Sequence, residues 1–296
     1  MIVSVVKLAV NNHRPLRAVS VSENLPHKGN SRREKRMKMI QICRLAAPLM
    51  VLLVSNAAQA ITNGSFDGNK HPAVGALVDY DSRGTAYIFC TGTLISPTVM
   101  LTAAHCNPGV STVKVTFEAT VQNAAVMYTG RYIAHANYRA AQSDPHDIAV
   151  IVFDRAITGI TPAKPPTAGL FDTLKANGML NGTQYTAVGY GGQERSFDGQ
   201  GKPFIAYEDK RESAVSAFGA LNPAWLRLSQ NAATGNSGTC FGDSGGPNFI
   251  GAGAAETPVI AGTTITGDTQ CVQSNVVYRL DTKSARAFLN DFVTLP

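Results

Sequence analysis

The stretch Thr239-Cys240-Phe241-Gly242-Asp243-Ser244-Gly245-Gly246-Pro247 constrains this chain more than any other. A serine stands between a carboxylate and two glycines, close to a cysteine. Glycines on both sides let the main chain turn sharply and approach another molecule closely. A hydroxyl held out on such a turn is how a serine nucleophile is displayed, and a serine needs a base to act as one. A bare Gly-x-Ser-x-Gly would favour an ordinary surface turn, but the longer string shifts the weight to chemistry.

Around it the sequence reads as short strands. Residues 73–80 and 85–95 are apolar or alternating runs broken by Asp81-Ser82-Arg83-Gly84, which predicts two strands and a turn. Further strands are predicted at 112–118, 122–128, 130–134, 184–192, 225–228, 247–250, 257–266 and 276–278. Prolines 162, 165 and 166 mark 157–169 as an irregular connector, since proline cannot donate within a central strand. Residues 192–204 read as a polar loop. At the end, Ala285, Phe288, Leu289 and Phe292 fall on one helical face, with Asp281 or Thr282 as the cap. With 296 residues, 44% of them hydrophobic, there is chain for a sizeable core and about two domains.

The amino-terminal region is of another kind. Basic residues (Lys35, Arg36, Lys38, Arg44) precede an apolar run from Leu45 to Val54, and Ala58-Gln59-Ala60 follows. The run is too short to span a bilayer. The pattern is that of a secretory signal peptide cleaved after Ala60. Counted from Met37 that signal has an ordinary length, so translation is expected to start at Met37 or Met39, with residues 1–36 an upstream extension. Export to a periplasm or out of the cell follows, with no stable membrane anchor after cleavage.

The formal charge of +6 belongs to this leader. Residues 1–60 hold 10 of the 26 Lys and Arg and only 2 of the 20 Asp and Glu. The rest is slightly acidic and shows no basic face for nucleic acid. Cys43 lies in the leader. The other four, Cys90, Cys106, Cys240 and Cys271, allow three pairings. In an exported chain they read as disulfides rather than metal ligands, and no Cys-x-x-Cys or His-x-x-x-His pattern argues for a metal. No cofactor is expected.

The serine string resembles the nucleophile segment of the trypsin-like (chymotrypsin-fold) serine proteases. Two upstream stretches resemble the same family. Cys90-Thr91-Gly92-Thr93-Leu94-Ile95 followed by Leu101-Thr102-Ala103-Ala104-His105-Cys106 is similar to its histidine segment. Asp147-Ile148-Ala149-Val150, after His135-Ala136-Asn137-Tyr138, is similar to its aspartate segment, with Asp144 a competitor. Ile61-Thr62-Asn63-Gly64 resembles its mature amino terminus, and Val188-Gly189-Tyr190-Gly191 a Gly-aromatic-Gly strand. The resemblance implies an all-β fold of two antiparallel barrels and a C-terminal α-helix. It places the first barrel at about 73–157, the second at about 170–280 and the helix at about 281–292, within a protease domain 61–296. It pairs Cys90 with Cys106, leaving Cys240 with Cys271. Two disulfides are fewer than most animal members carry, which points to a microbial protein.

The resemblance also implies a mechanism. Ser244 is the nucleophile, His105 the general base and acid, and Asp147 the residue that orients His105. The amides of Gly242 and Ser244 form the oxyanion hole. A freed Ile61 amine pairs with Asp243, an arrangement that is costly to break once buried. The base of the primary specificity pocket falls on Gly238, one wall on Gly267, and a narrowing position on Val276. That set predicts cleavage after small or medium uncharged residues, unless Asp268 reaches the pocket and restores a basic preference. Ile265-Thr266-Gly267 stands where the family has Ser-Trp-Gly. The partners implied are peptide or protein substrates and protein inhibitors, acting on a monomer. Two rival readings make different demands on the sequence. An α/β-hydrolase would need a histidine after its serine, and none follows Ser244. A protease-like binding protein without catalysis would usually lack one member of the triad, and all three are present.

Overall fold

Short, largely apolar strands, several of them buried along most of their length, build the first barrel. The computed structural model describes residues 61–296 except Asn123 and Glu194, so the upstream extension and the signal peptide lie outside the described residues. After a two-residue strand, β1 (Ser65–Phe66), come β2 (Val74–Tyr80), β3 (Ala86–Ser96), β4 (Val99–Thr102), β5 (Thr112–Thr116), β6 (Tyr128–Ala134) and β7 (Ala149–Phe153). Strands β2 to β7 close in the order β2-β3-β4-β7-β6-β5. Leu77, Leu94, Met100, Val115, Ile151 and Phe153 fill the interior. Of the strand expected at 122–128, only Tyr128 is in a strand among the described residues, as the first residue of β6.

The connector runs through the prolines into a short helix, α1 (Leu170–Ala176), entered through Gly169 at a left-handed φ of 65°. The second barrel uses β8 (Gln184–Gly189), β11 (Glu212–Leu221), β12 (Trp225–Ser229), β13 (Pro247–Ile250), β14 (Ile260–Gly267) and β15 (Ser274–Arg279). The order β11-β12-β15-β14-β13-β8 is closed by pairing of β8 with β11. Between β8 and β11 a small hairpin, β9 (Ser196–Phe197) with β10 (Pro203–Phe204), stands where a plain loop was expected. The molecule is therefore all-β, two closed six-stranded antiparallel barrels followed by α2 (Lys283–Leu289). Thr282 caps α2 by accepting from the Ala285 amide at 3.2 Å. Asp281 instead accepts from the Phe171 amide at the start of α1, at 2.9 Å, and pairs with Arg279.

The segment before β2 is held by a buried polar chain. Arg211, wholly buried, donates to Asp67 Oδ2 at 2.9 Å, to the carbonyls of Val74 and Phe117, and to Tyr190 Oη. Asp67 also bonds His71 through Nδ1 and the main-chain nitrogen. The other ring nitrogen of His71 meets Glu256 Oε1 at 2.6 Å. Burial pulls the imidazole down, but the hydrogen bonds to Asp67 and Glu256 outweigh it and hold the group at about 9. Arg211, which directly precedes β11, and the loop before β14 are thereby tied to the amino-terminal segment and the first barrel.

Candidate active site

Segments from both barrels meet at one cleft. β4 leads into a single 3-10 turn, Ala104–Cys106, that carries His105. Two restraints fix this turn. Cys106 is disulfide-bonded to Cys90 on β3. Tyr132 Oη, from β6, donates to the carbonyls of Ala103 and Ala104, both at 2.8 Å. Pairing of Thr102 with Ala149 sets the loop before β7 beside the turn. In that loop His146 takes a left-handed φ of 51°, a conformation uncommon for residues with a side chain. The carboxylate that follows meets the histidine twice. Asp147 Oδ1 accepts from the His105 main-chain nitrogen at 2.9 Å, and Oδ2 lies 2.8 Å from Nδ1. Asp147 is buried, whereas the His105 side chain remains 27% exposed. With Nδ1 taken, Nε2 is the nitrogen left for the cleft, and it bonds to nothing among the described residues. Asp144 is turned elsewhere and accepts from Tyr278 Oη at 2.8 Å.

Ser244 lines the same cleft as His105. Its turn is anchored by Thr91 of the first barrel, whose hydroxyl donates to the Gly242 carbonyl at 2.9 Å and whose amide donates to the Ser244 carbonyl at 2.8 Å. Gly242 adopts a φ of 96°, which favours glycine. The amides of Gly242 and Ser244 have no acceptor among the described residues. Two main-chain donors are thus available beside the hydroxyl.

Asp243 is wholly buried. Its Oδ1 accepts from the Gly191 amide at 2.7 Å and its Oδ2 from the Cys240 amide at 2.9 Å. A Cβ at Gly189 or Gly191 would run into this carboxylate, which gives the Gly-Tyr-Gly sequence its physical meaning. Burial pushes the carboxyl up to about 7 against those two bonds, and nearby Glu212 adds to the rise. The partner expected for Asp243 is the Ile61 amine once cleavage frees it; in the uncleaved chain Ile61 is fully buried and its peptide nitrogen donates to Glu212 Oε2 at 3.0 Å. Local pairing places it there: Phe66 stands opposite Glu212 on β11, and Thr62 bridges to Gly238. Asp243 is meanwhile held by amides of its own surroundings.

The cleft beside Ser244 has a volume of about 340 Å³ and includes Thr239, Phe241, Thr264, Gly267 and Asp268 on its lining. Of the three expected pocket residues, Gly267 is on it. Gly238 is buried against Gln230, whose side chain occupies the space a Cβ would need; Thr239 forms the wall next to it. Val276 is not on this wall. It lines a neighbouring cleft of about 350 Å³ with Trp225, Arg227 and Asp147. The reason is strand alternation. β14 carries an irregularity between Thr264 and Thr266 where it pairs with β15. Asn275 rather than Val276 shares the side of Thr264, with Nδ2 3.4 Å from its hydroxyl oxygen. Asp268 is on the lining, but its carboxylate accepts from the amides of Val272, Gln273 and Ser274. Those bonds outweigh burial and lower its pKa. The second disulfide, Cys240–Cys271, ties the serine turn to this wall. Both pairings are those the resemblance implied.

Tyr132, Thr91, Glu212 and Asn275 were not visible as site residues in the sequence. Each acts across a separation no short motif records.

The chain matches a family model described as Trypsin over residues 66–288. It is similar to Brachyurin of Leptuca pugilator, with 32% identity over 176 residues that cover 55% of this chain and 72% of that protein. It is also similar to Chymotrypsin of Phaedon cochleariae, with 30% identity over 180 residues, 57% of this chain and 62% of the relative. These relatives come from a crustacean and an insect, so the expected microbial origin finds no support in them.

Proposed function

Since the chain belongs to the trypsin family and is a serine-type endopeptidase, we propose that Ser244, His105 and Asp147 carry the reaction and that the protein is secreted. Ser244 Oγ attacks the peptide carbonyl while His105 Nε2 takes its proton. The oxyanion forms against the amides of Gly242 and Ser244. His105 then gives the proton to the leaving amine, and water repeats the sequence on the acyl-enzyme with His105 as base. Asp147 holds the imidazole in place and stabilises its cation. The observation that carries this reading is the two-point grip of Asp147 on His105, with Nε2 left for the cleft that Ser244 lines. Signal cleavage after Ala60 would make the Ile61 nitrogen an ammonium beside Glu212, whose charge also acts on Asp243.

The residue before the scissile bond is small or medium and uncharged. The lining supports this: Asp268 is the only acidic side chain on it and is engaged by its own loop. Substrates are peptides or proteins, protein inhibitors are expected partners, and the protein acts as a monomer. Among the described residues no helix is long and apolar enough to cross a membrane. A cleavage profile on a peptide library, run beside Ser244→Ala, tests the proposal. Cleavage after Ala, Val or similar residues, absent in the variant, is expected. Cleavage after Lys or Arg would assign Asp268 the role of basic anchor. Equal activity of the variant would remove Ser244 from the mechanism.

A further inference from the structure

A buried polar group lies beside the primary cleft and takes no part in the steps above. Asn248 on β13, Thr264 on β14 and Asn275 on β15 are all buried. Asn248 Nδ2 donates to Thr264 Oγ1 at 3.0 Å. Asn275 Nδ2 donates to Asn248 Oδ1 at 2.9 Å and approaches the same Thr264 oxygen at 3.4 Å. Asn275 Oδ1 meets no partner among the described residues. Three apolar residues of similar volume would satisfy the interior better, because a buried acceptor without a donor is costly. A polar group kept under that penalty calls for a use.

Thr264 connects the group to the cleft, since it also lines it. A hydroxyl offers one proton and two lone pairs. Two amide N–H groups donate to the Thr264 oxygen and its own proton has no acceptor among the described residues, so that proton is left for an occupant of the cleft. Thr239, on the same lining, brings a second hydroxyl whose oxygen has no bond among the described residues. The ionisable side chains on the lining are His105 and Asp268, the latter an acid. A carboxylate entering there would find no fixed cation and would be desolvated unpaired.

We propose that Thr264, held by Asn248 and Asn275, selects an uncharged hydrogen-bond acceptor at the residue whose carbonyl is attacked: a side-chain amide (Gln, Asn) or hydroxyl (Thr, Ser) over its apolar isostere. This rests on the endopeptidase reading of the same cleft and narrows it. A site built to hydrogen-bond a substrate rejects the analogue that leaves its polar groups unpaired.

The test uses protein purified after expression of the full chain, and peptides that differ only at that residue in the pairs Gln/Met, Asn/Leu and Thr/Val. The polar member of each pair is expected to be cleaved with about tenfold higher kcat/KM. Thr264→Val should bring the ratio near one, while Thr264→Ser should keep it. If Thr264→Val fails to fold, the wild-type ratios alone decide. The same pairs are titrated against Ser244→Ala by fluorescence anisotropy, which separates the two readings. Tighter binding of the polar member there supports selection by Thr264 even if the wild type cleaves nothing. Equal cleavage or binding within pairs, preference for the apolar member, or no binding at all overturns it.

Discussion

Two histidine–aspartate pairs in this molecule share their first contact and differ in the second. His105 and His71 each turn Nδ1 toward a buried aspartate, Asp147 and Asp67. His105 leaves Nε2 open on a cleft that holds a serine. His71 spends Nε2 on Glu256, and its aspartate is further bound to the buried Arg211. The first arrangement can pass a proton back and forth. The second fixes the proton between two carboxylates and serves as a strut between the amino-terminal segment and the second barrel. What decides between catalyst and strut is the partner on the far nitrogen.

The comparison is sharpened first by removing the acting groups. His105→Ala or Ser244→Ala should lower kcat about a millionfold, since these members act as one unit. His71→Ala should leave kcat of the folded enzyme within a small factor. Steady-state kinetics on one peptide substrate check both.

Next, the aspartates should separate cleanly. Asp147→Asn should cost about ten-thousandfold in kcat through the histidine's tautomer, with little change in unfolding midpoint. Asp67→Asn should instead lower stability by about 3–5 kcal/mol, because it leaves Arg211 as an uncompensated buried charge. Urea unfolding followed by Trp225 fluorescence reads the second effect.

The strut should also show in pH. His71 binds its proton more tightly folded, at about 9, than at its ordinary value of 6.5. Its contribution is therefore whole below 6.5 and is lost as pH rises through 9. The span corresponds to about 3 kcal/mol. Stability of the wild type should fall across that window, and His71→Gln should flatten the fall. A wild-type curve level from pH 6.5 to 9 would show that the cluster does not hold the proton. Last and smallest, Thr282→Ala should cost about 1 kcal/mol by removing the cap of α2. Both histidine pairs should be untouched, which thermal unfolding and kcat would show together.

The His105–Asp147 pair, which we propose is catalytic, was legible in the sequence and the strut was not, for a physical reason. His105, Asp147 and Ser244 each sit in a local string whose glycines, cysteines and flanking apolar runs serve that residue's own placement. His71, Asp67, Arg211 and Glu256 come together only through the fold, with His71 and Glu256 separated by 185 residues. The same distinction holds for the scaffold. β2, β3 and β13 read directly from their apolar runs. β11, written Glu-Ser-Ala-Val-Ser-Ala-Phe-Gly-Ala-Leu, was missed because serine, alanine and glycine give it little strand signal, yet it pairs with both β8 and β12. The pocket shows how a small local irregularity defeats a motif. The bulge in β14 and the alternation of β15 exchange Val276 for Asn275 beneath Thr264. No residue type marks that exchange in advance.

The most direct measurement is labelling of the purified protein with a fluorophosphonate, followed by peptide mapping and by rates for Asp147→Asn and Asp67→Asn. The account predicts label on Ser244, at a rate that collapses in Asp147→Asn and is retained in Asp67→Asn. Label absent from Ser244, or a rate that follows Asp67 rather than Asp147, would contradict it.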